Sequence, residues 1–149
     1  MKNHLEEEMT NTGPNSQRLL TFWDKWDTDF DTFVDSFRDV FTDKTIWWNT
    51  ESLPQVQGLD EALEKIIQPS KDSALGMECI RVEVRHIAEV GNIVLHERID
   101  HLLRADGSII ISTPIAGITE FDDNGKITHW REYNDPTRLL ALMAGPSES

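Results

Sequence analysis

Four side chains in the sequence could do chemistry together: Arg98, Asp100, Glu132 and Asn49. Arg98 and Asp100 stand two apart in Val94-Leu95-His96-Glu97-Arg98-Ile99-Asp100, a segment that reads as a strand. Strand side chains alternate faces, so Val94, His96, Arg98, Asp100 and Leu102 share one face. By the same rule Glu132 shares a face with Thr128, Trp130 and Asn134, and Trp47 shares one with Asn49. Two carboxyls beside one guanidinium make an acid/base pair. Burial and mutual repulsion raise carboxyl pKa values, while the arginine lowers them. Unequal surroundings then leave one carboxyl protonated and the other ionised. Asn49 could orient a water through its amide, and Trp47 could wall a pocket. No step in this chemistry needs a metal or an organic cofactor.

Periodicity also allows an ordinary reading of the same residues. Arg-x-Asp on one face of an antiparallel strand is usually a solvated ion pair, and Glu132 would then be a surface carboxylate. His96 and His101 lack a cysteine or second histidine at ligand spacing on one element, so no metal site is expected. Asp122-Asp123-Asn124-Gly125 lacks the calcium-loop pattern and reads as a turn.

The elements that must hold these residues follow from the change of period along the chain. Met1 to Ser16 is polar and reads as a loose tail, with a domain over 17–143 and a short tail over 144–149. Leu19, Leu20, Phe22, Trp23 and Trp26, then Phe30, Phe33, Val34, Phe37, Val40 and Phe41, recur at helical spacing. They predict helices over about 17–27 and 30–42, separated by the capping types Asp27-Thr28-Asp29. Thr45 to Asn49 predicts a short strand, Glu51 to Gly58 a loop, and Leu59 to Gln68 a helix stopped by Pro69. From Ile80 the period becomes two. Asp106-Gly107 and Asn124-Gly125 mark hairpins, which gives four long strands in an antiparallel meander ending at Tyr133. Asp135-Pro136 opens a terminal helix. Helices first and strands last imply an α+β fold. The expectation is a curved, mixed, mainly antiparallel sheet wrapped around the N-terminal helices, a cone-shaped roll with an internal pocket.

Composition narrows the partners. The chain has 149 residues, 14 Lys plus Arg against 27 Asp plus Glu, and a formal charge of −13. Such a surface repels phosphate backbones and anionic membranes, so neither nucleic acid nor membrane is an expected partner. No apolar run approaches the roughly 20 residues of a membrane span, and the N-terminus has no apolar stretch typical of a signal peptide. Cys79 is the only cysteine, which excludes an internal disulfide and fits a reducing, cytoplasmic setting.

Three segments together resemble the limonene-1,2-epoxide hydrolase family, within the nuclear-transport-factor-2-like (cystatin-like) cone superfamily. They are Trp47-Trp48-Asn49 with the Pro54–Gly58 loop, His96-Glu97-Arg98-Ile99-Asp100, and Ile127 through Asp135. The resemblance spans Leu19 to Leu139. It implies that Asp100 is the general acid to an epoxide oxygen and that Arg98 bridges two carboxylates. It further implies that Glu132 is the base activating a water held by Asn49. Trp47, Trp130 and His96 would line the pocket of a cofactor-free homodimer that acts on an apolar, terpene-like or cyclic epoxide. Two positions depart from the family. Glu132 stands where the family has Asp, and Trp47 where it has Tyr. An indole N–H only donates, so one water-binding hydroxyl is gone. A glutamate is one methylene longer, and a 1 Å misplacement can cost on the order of 100-fold in rate. A cyclase, isomerase or dehydratase on the same fold, or a small-molecule-binding module without catalysis, are the alternatives.

Overall fold

The computed structural model describes residues 13–146. Most of the expected N-terminal tail, and the last residues of the C-terminal one, lie outside the described residues.

A proline at the first helical turn lacks only an N–H that would go unpaired there. Helix α1 accordingly starts at Pro14 and runs Pro14–Asp24, beginning earlier than the start near 17 that periodicity predicts. Its first turn is held by Glu89, whose carboxylate accepts from the Ser16 backbone N–H (2.6 Å) and hydroxyl (2.9 Å). Asp29 caps α2 (Phe30–Ser36) by accepting from the Thr32 N–H at 2.7 Å, as its residue type predicts. A 3₁₀ turn, Phe37–Asp39, follows.

Strand β1 (Ile46–Trp48) is short, and the expected loop after it holds a two-residue strand, β2 (Val56–Gln57). Gly58 then turns the chain at φ 77°, with its N–H bonded to the Thr45 carbonyl at 2.8 Å. Helix α3 (Gly58–Ala62) passes through a π-helical turn, Leu63–Ile67, into α4 (Gln68–Asp72). Pro69 was expected to stop this helix. It sits instead in the first turn after the π turn, where the regular ladder is already interrupted.

The predicted meander forms as β3 (Cys79–Val90), β4 (Ile93–Leu103), β5 (Ile109–Phe121) and β6 (Ile127–Tyr133). Helix α5 (Thr137–Ala144) closes the described chain; the Asp135 carboxylate accepts from the Thr137 N–H, and Pro136 occupies the cap position. The sheet order is β2-β1-β6-β5-β4-β3. Every pair is antiparallel except β1 with β6, which runs parallel in the register Trp47↔Trp130. Bulges at Val84/His86, Leu102/Leu103 and Glu120/Phe121 bend the long strands. The result is the expected α+β roll with an unclosed, curved, mixed sheet.

Aromatic rings from α1, the turn after it and the 3₁₀ turn fill its concave face. Phe22, Trp26 and Phe37 pack mutually, with Trp26 stacked on Phe37 (5.8 Å, 5°), and Trp47 stacks on Trp130 (4.6 Å, 7°). The Ile80 N–H bonds to the Trp26 carbonyl (2.9 Å), and the Ile127 N–H to the Val40 carbonyl (2.7 Å), which fixes the helices against the sheet. No helix of the described residues is long and apolar enough to cross a membrane.

Candidate active site

The inward faces of β4, β5 and β6 share one end of the roll with α5 and with the segment after β1. Between them lies a cavity of about 150 Å³. Its walls are largely apolar and include Trp26, Phe33, Phe37, Trp47, Ile80 and Leu102. Arg98, Asp100, Glu132 and Asn49 all line it. An apolar cavity of about this volume admits a benzene-sized ring.

Arg98 organises the charged part. Its side chain is 1 % exposed, and Glu132's is 2 % exposed, so this is no solvated ion pair. Nε donates to Asp100 Oδ1 at 2.8 Å and Nη2 to Asp100 Oδ2 at 3.2 Å. Nη2 also meets Glu132 Oε2 at 2.5 Å as an ion pair. That approach lies outside hydrogen-bond angles, so Glu132 Oε2 has a charge partner and no well-formed hydrogen bond. The Trp47 indole pulls the Glu132 pKa down slightly, yet its N–H likewise makes no hydrogen bond of standard geometry. The guanidinium lies 4.9 Å from the ring centroid of Trp23 and 5.9 Å from those of Trp26 and Trp130. Such desolvated cation–π contacts are favourable and hold the arginine in place.

Burial dominates the Glu132 carboxyl. It raises the pKa, Arg98 lowers it, Asp100 raises it again, and the balance is about 7. Burial alone would lower the Arg98 pKa, but the charges of Asp100 and Glu132 and the hydrogen bonds to Asp100 outweigh it, and the guanidinium stays charged. One positive charge between two carboxyls is neutralised when the pair keeps a single proton. The titration belongs to the pair.

Asn49 reaches this group through strand register. Trp47 pairs with Trp130 and Trp48 with Arg131, so the next residue, Asn49, comes level with Glu132. The Asn134 side-chain amide donates to the Asn49 carbonyl at 3.0 Å and fixes that turn of chain.

Two residues expected to line the pocket do not. His96 and Trp130 are absent from the cavity wall, although both face inward. Trp130 lies beneath Trp47, ring on ring. His96 is packed edge-on against Trp23, and its Nδ1 faces Arg98 Nη1 at 3.4 Å. Burial, then the Arg98 charge, push its pKa well below the usual value, so it is neutral. Its partners assign the proton to Nε2, which donates to Thr119 Oγ1 at 3.0 Å. Gly117, opposite both His96 and Glu132, leaves the space the imidazole fills; a Cβ there would collide with His96 Cε1. His96 therefore supports Arg98 from behind.

Sequence reasoning missed Thr113 and Thr50. Both line the cavity, both are buried, and neither hydroxyl has a hydrogen-bond partner among the described residues. Thr113 could have been found, because it is the polar exception between Ile111 and Ile115 on the inward face of β5.

Comparison with known proteins gives the family and the breadth of the fold. The limonene-1,2-epoxide hydrolase catalytic domain model matches residues 22–144. The chain belongs to the limonene-1,2-epoxide hydrolase family. Its fold is shared more widely than the family. An LEH-like epoxide hydrolase of M. tuberculosis superimposes with a TM-score of 0.60 at 19% identity, over 85% of this chain and 86% of that one. A Jannaschia sp. CCS1 protein assigned to the SnoaL-like polyketide cyclases gives 0.68 at 17% identity, over 92% and 99%. TerC, crystallised with polyporic acid, gives 0.66 at 14% identity, over 88% and 98%. No curated protein matches the sequence. At these identities the superpositions speak for the fold, whereas membership of the limonene-1,2-epoxide hydrolase family rests on the sequence model.

Proposed function

We propose that the protein is a cofactor-independent epoxide hydrolase adding water to a small cyclic epoxide. The observation that carries this reading is the buried Asp100–Arg98–Glu132 group on the wall of a ring-sized apolar cavity, with Asn49 level with Glu132. Asp100 donates a proton to the epoxide oxygen as the ring C–O bond breaks. Glu132 takes a proton from the attacking water, which the Asn49 amide holds. The oxygen of that water bonds to the ring carbon, and a diol leaves. The reaction needs one proton in the pair, held by Asp100 with Glu132 ionised, and the burial that raises Glu132 to about 7 keeps a proton in the pair up to that pH. Arg98 holds both carboxyls and stays charged throughout.

Turnover of cyclohexene oxide and limonene oxide in oxygen-18 water tests the reading. A labelled diol that is lost in Asp100→Asn supports it; no diol from any small cyclic epoxide overturns it. One observation favours a second reading. Trp47, stacked on Trp130, offers no hydroxyl to the water. Ring closure or isomerisation by the same acid/base pair needs no such water, and its product carries no label.

The family resemblance also implies a homodimer. The outer sheet face would supply its contact, since Leu95 and Tyr133 stand 43% and 46% exposed there. Sedimentation of the wild type beside Leu95→Glu decides it, because only a dimer through this face dissociates.

A further inference from the structure

Thr113 is the anomaly of the cavity. It is 8% exposed, its hydroxyl has no hydrogen-bond partner among the described residues, and its neighbours on the inward face of β5 are Ile111 and Ile115. A buried hydroxyl left without a hydrogen bond is destabilising, whereas valine would fill the same volume at no such cost. No described neighbour bonds it. It stands opposite Asp100 in the β4–β5 pair, and that carboxylate is bonded by Arg98 and not by the Thr113 hydroxyl. On its other side β6 ends at Tyr133, which pairs with Ala116, so no β6 residue pairs with Thr113.

We propose that Thr113 reads a second oxygen on the substrate, so that the preferred ring carries a hydroxyl or carbonyl close to its reacting oxygen. The placement follows from the strand pair. Directly opposed residues hold their Cβ atoms about 4.5–5.5 Å apart. A substrate oxygen bonded to Asp100 therefore sets the adjoining ring carbons against Thr113. An oxygen one or two carbons away falls within hydrogen-bond reach of the hydroxyl, which can donate or accept. A site built to bond a polar group discriminates sharply against the analogue lacking it, because its own group is then stranded. The inference takes the reacting group from the hydrolase reading, but the recognition of a second oxygen does not depend on turnover.

The test uses unreactive ring ligands first. Binding of cyclohexane-1,2-diol and cyclohexane-1,2,3-triol is measured by calorimetry for wild type, Thr113→Val and Thr113→Ser. Wild type binds the triol tighter by about 10-fold, Thr113→Val brings the ratio of the two constants close to one, and Thr113→Ser keeps the preference. Equal binding of the two ligands by wild type, an unchanged ratio in Thr113→Val, or no binding of either ligand overturns the proposal. Cyclohexene oxide and its 3-hydroxy derivative are then compared as substrates. Failure to turn over either epoxide, with the triol preference intact, sinks the hydrolase reading and leaves Thr113's role standing.

Discussion

Arg98, Asp100, Thr113 and Glu132 stand on three adjacent long strands, whereas Asn49, Leu53, Pro136 and Leu139 stand on a strand end, a loop and the last helix. The strand wall is held by ladders on both sides and by the ion group itself. The other wall has few ties. The Trp48 indole donates to the Leu53 carbonyl at 3.0 Å, Asn134 secures Asn49, and α5 has no buried residue. Regions with few buried contacts open first. On the proposed hydrolase reading, the division would place proton transfer on the wall with the more ties and substrate entry on the wall with fewer.

Substitutions can break or sharpen that contrast. The largest effects belong to the strand wall. Asp100→Asn and Glu132→Gln each lower kcat about 10³-fold, roughly 4 kcal/mol of barrier, with near-ultraviolet dichroism unchanged. A comparable loss from a rim substitution would erase the distinction. Trp130→Ala removes the ring beneath Trp47 and the aromatic contact with Phe22, and costs about 3–5 kcal/mol in urea unfolding.

The next effect is one of pH. Glu132 is raised in the folded state, so the native protein keeps a proton that the unfolded chain has already released. Stability from this group is complete below about 4.5, the ordinary glutamate value, and is lost as pH rises through about 7. Over that window wild type loses about 3 kcal/mol relative to Glu132→Gln in unfolding measurements. A constant difference between the two proteins from pH 4 to 8 would contradict the assignment. The reaction needs one proton on the pair, so kcat/KM falls as pH rises above about 7. The smallest effect is at the rim. Leu139→Ala raises KM a few-fold, about 1 kcal/mol, and leaves kcat near wild type, which steady-state kinetics on one epoxide reads directly.

Legibility in the sequence followed the same boundary. Period two showed Arg98 and Asp100 on one face, and two hairpin signals framed the strands that carry them. Their junction with Glu132 was not contained in any local pattern; it came from a resemblance, because strand order is a long-range property. Facing was read correctly for His96 and Trp130, but depth was not. Alternation says which side a residue takes, not whether another ring covers it, and Trp47 covers Trp130. Thr113 was visible as a polar exception among Ile111 and Ile115, yet its meaning needed its register with Asp100. The two-residue β2 and the π turn before Pro69 carry almost no periodic signal, so composition alone reads them as loop and helix stop.

The single parallel strand pair has a consequence for the birth of the molecule. Thr45 ties to the Ile127 carbonyl 82 positions away, and β1 has β6 as its inner neighbour in the sheet. Trp47 and Asn49 are made early, and their partner β6 is the last strand made. Pairing across such a separation is slower to form than the hairpins of β3, β4 and β5. A chain cut before β6 would keep most of the sheet and lack both Glu132 and the pairing that brings Asn49 level with it.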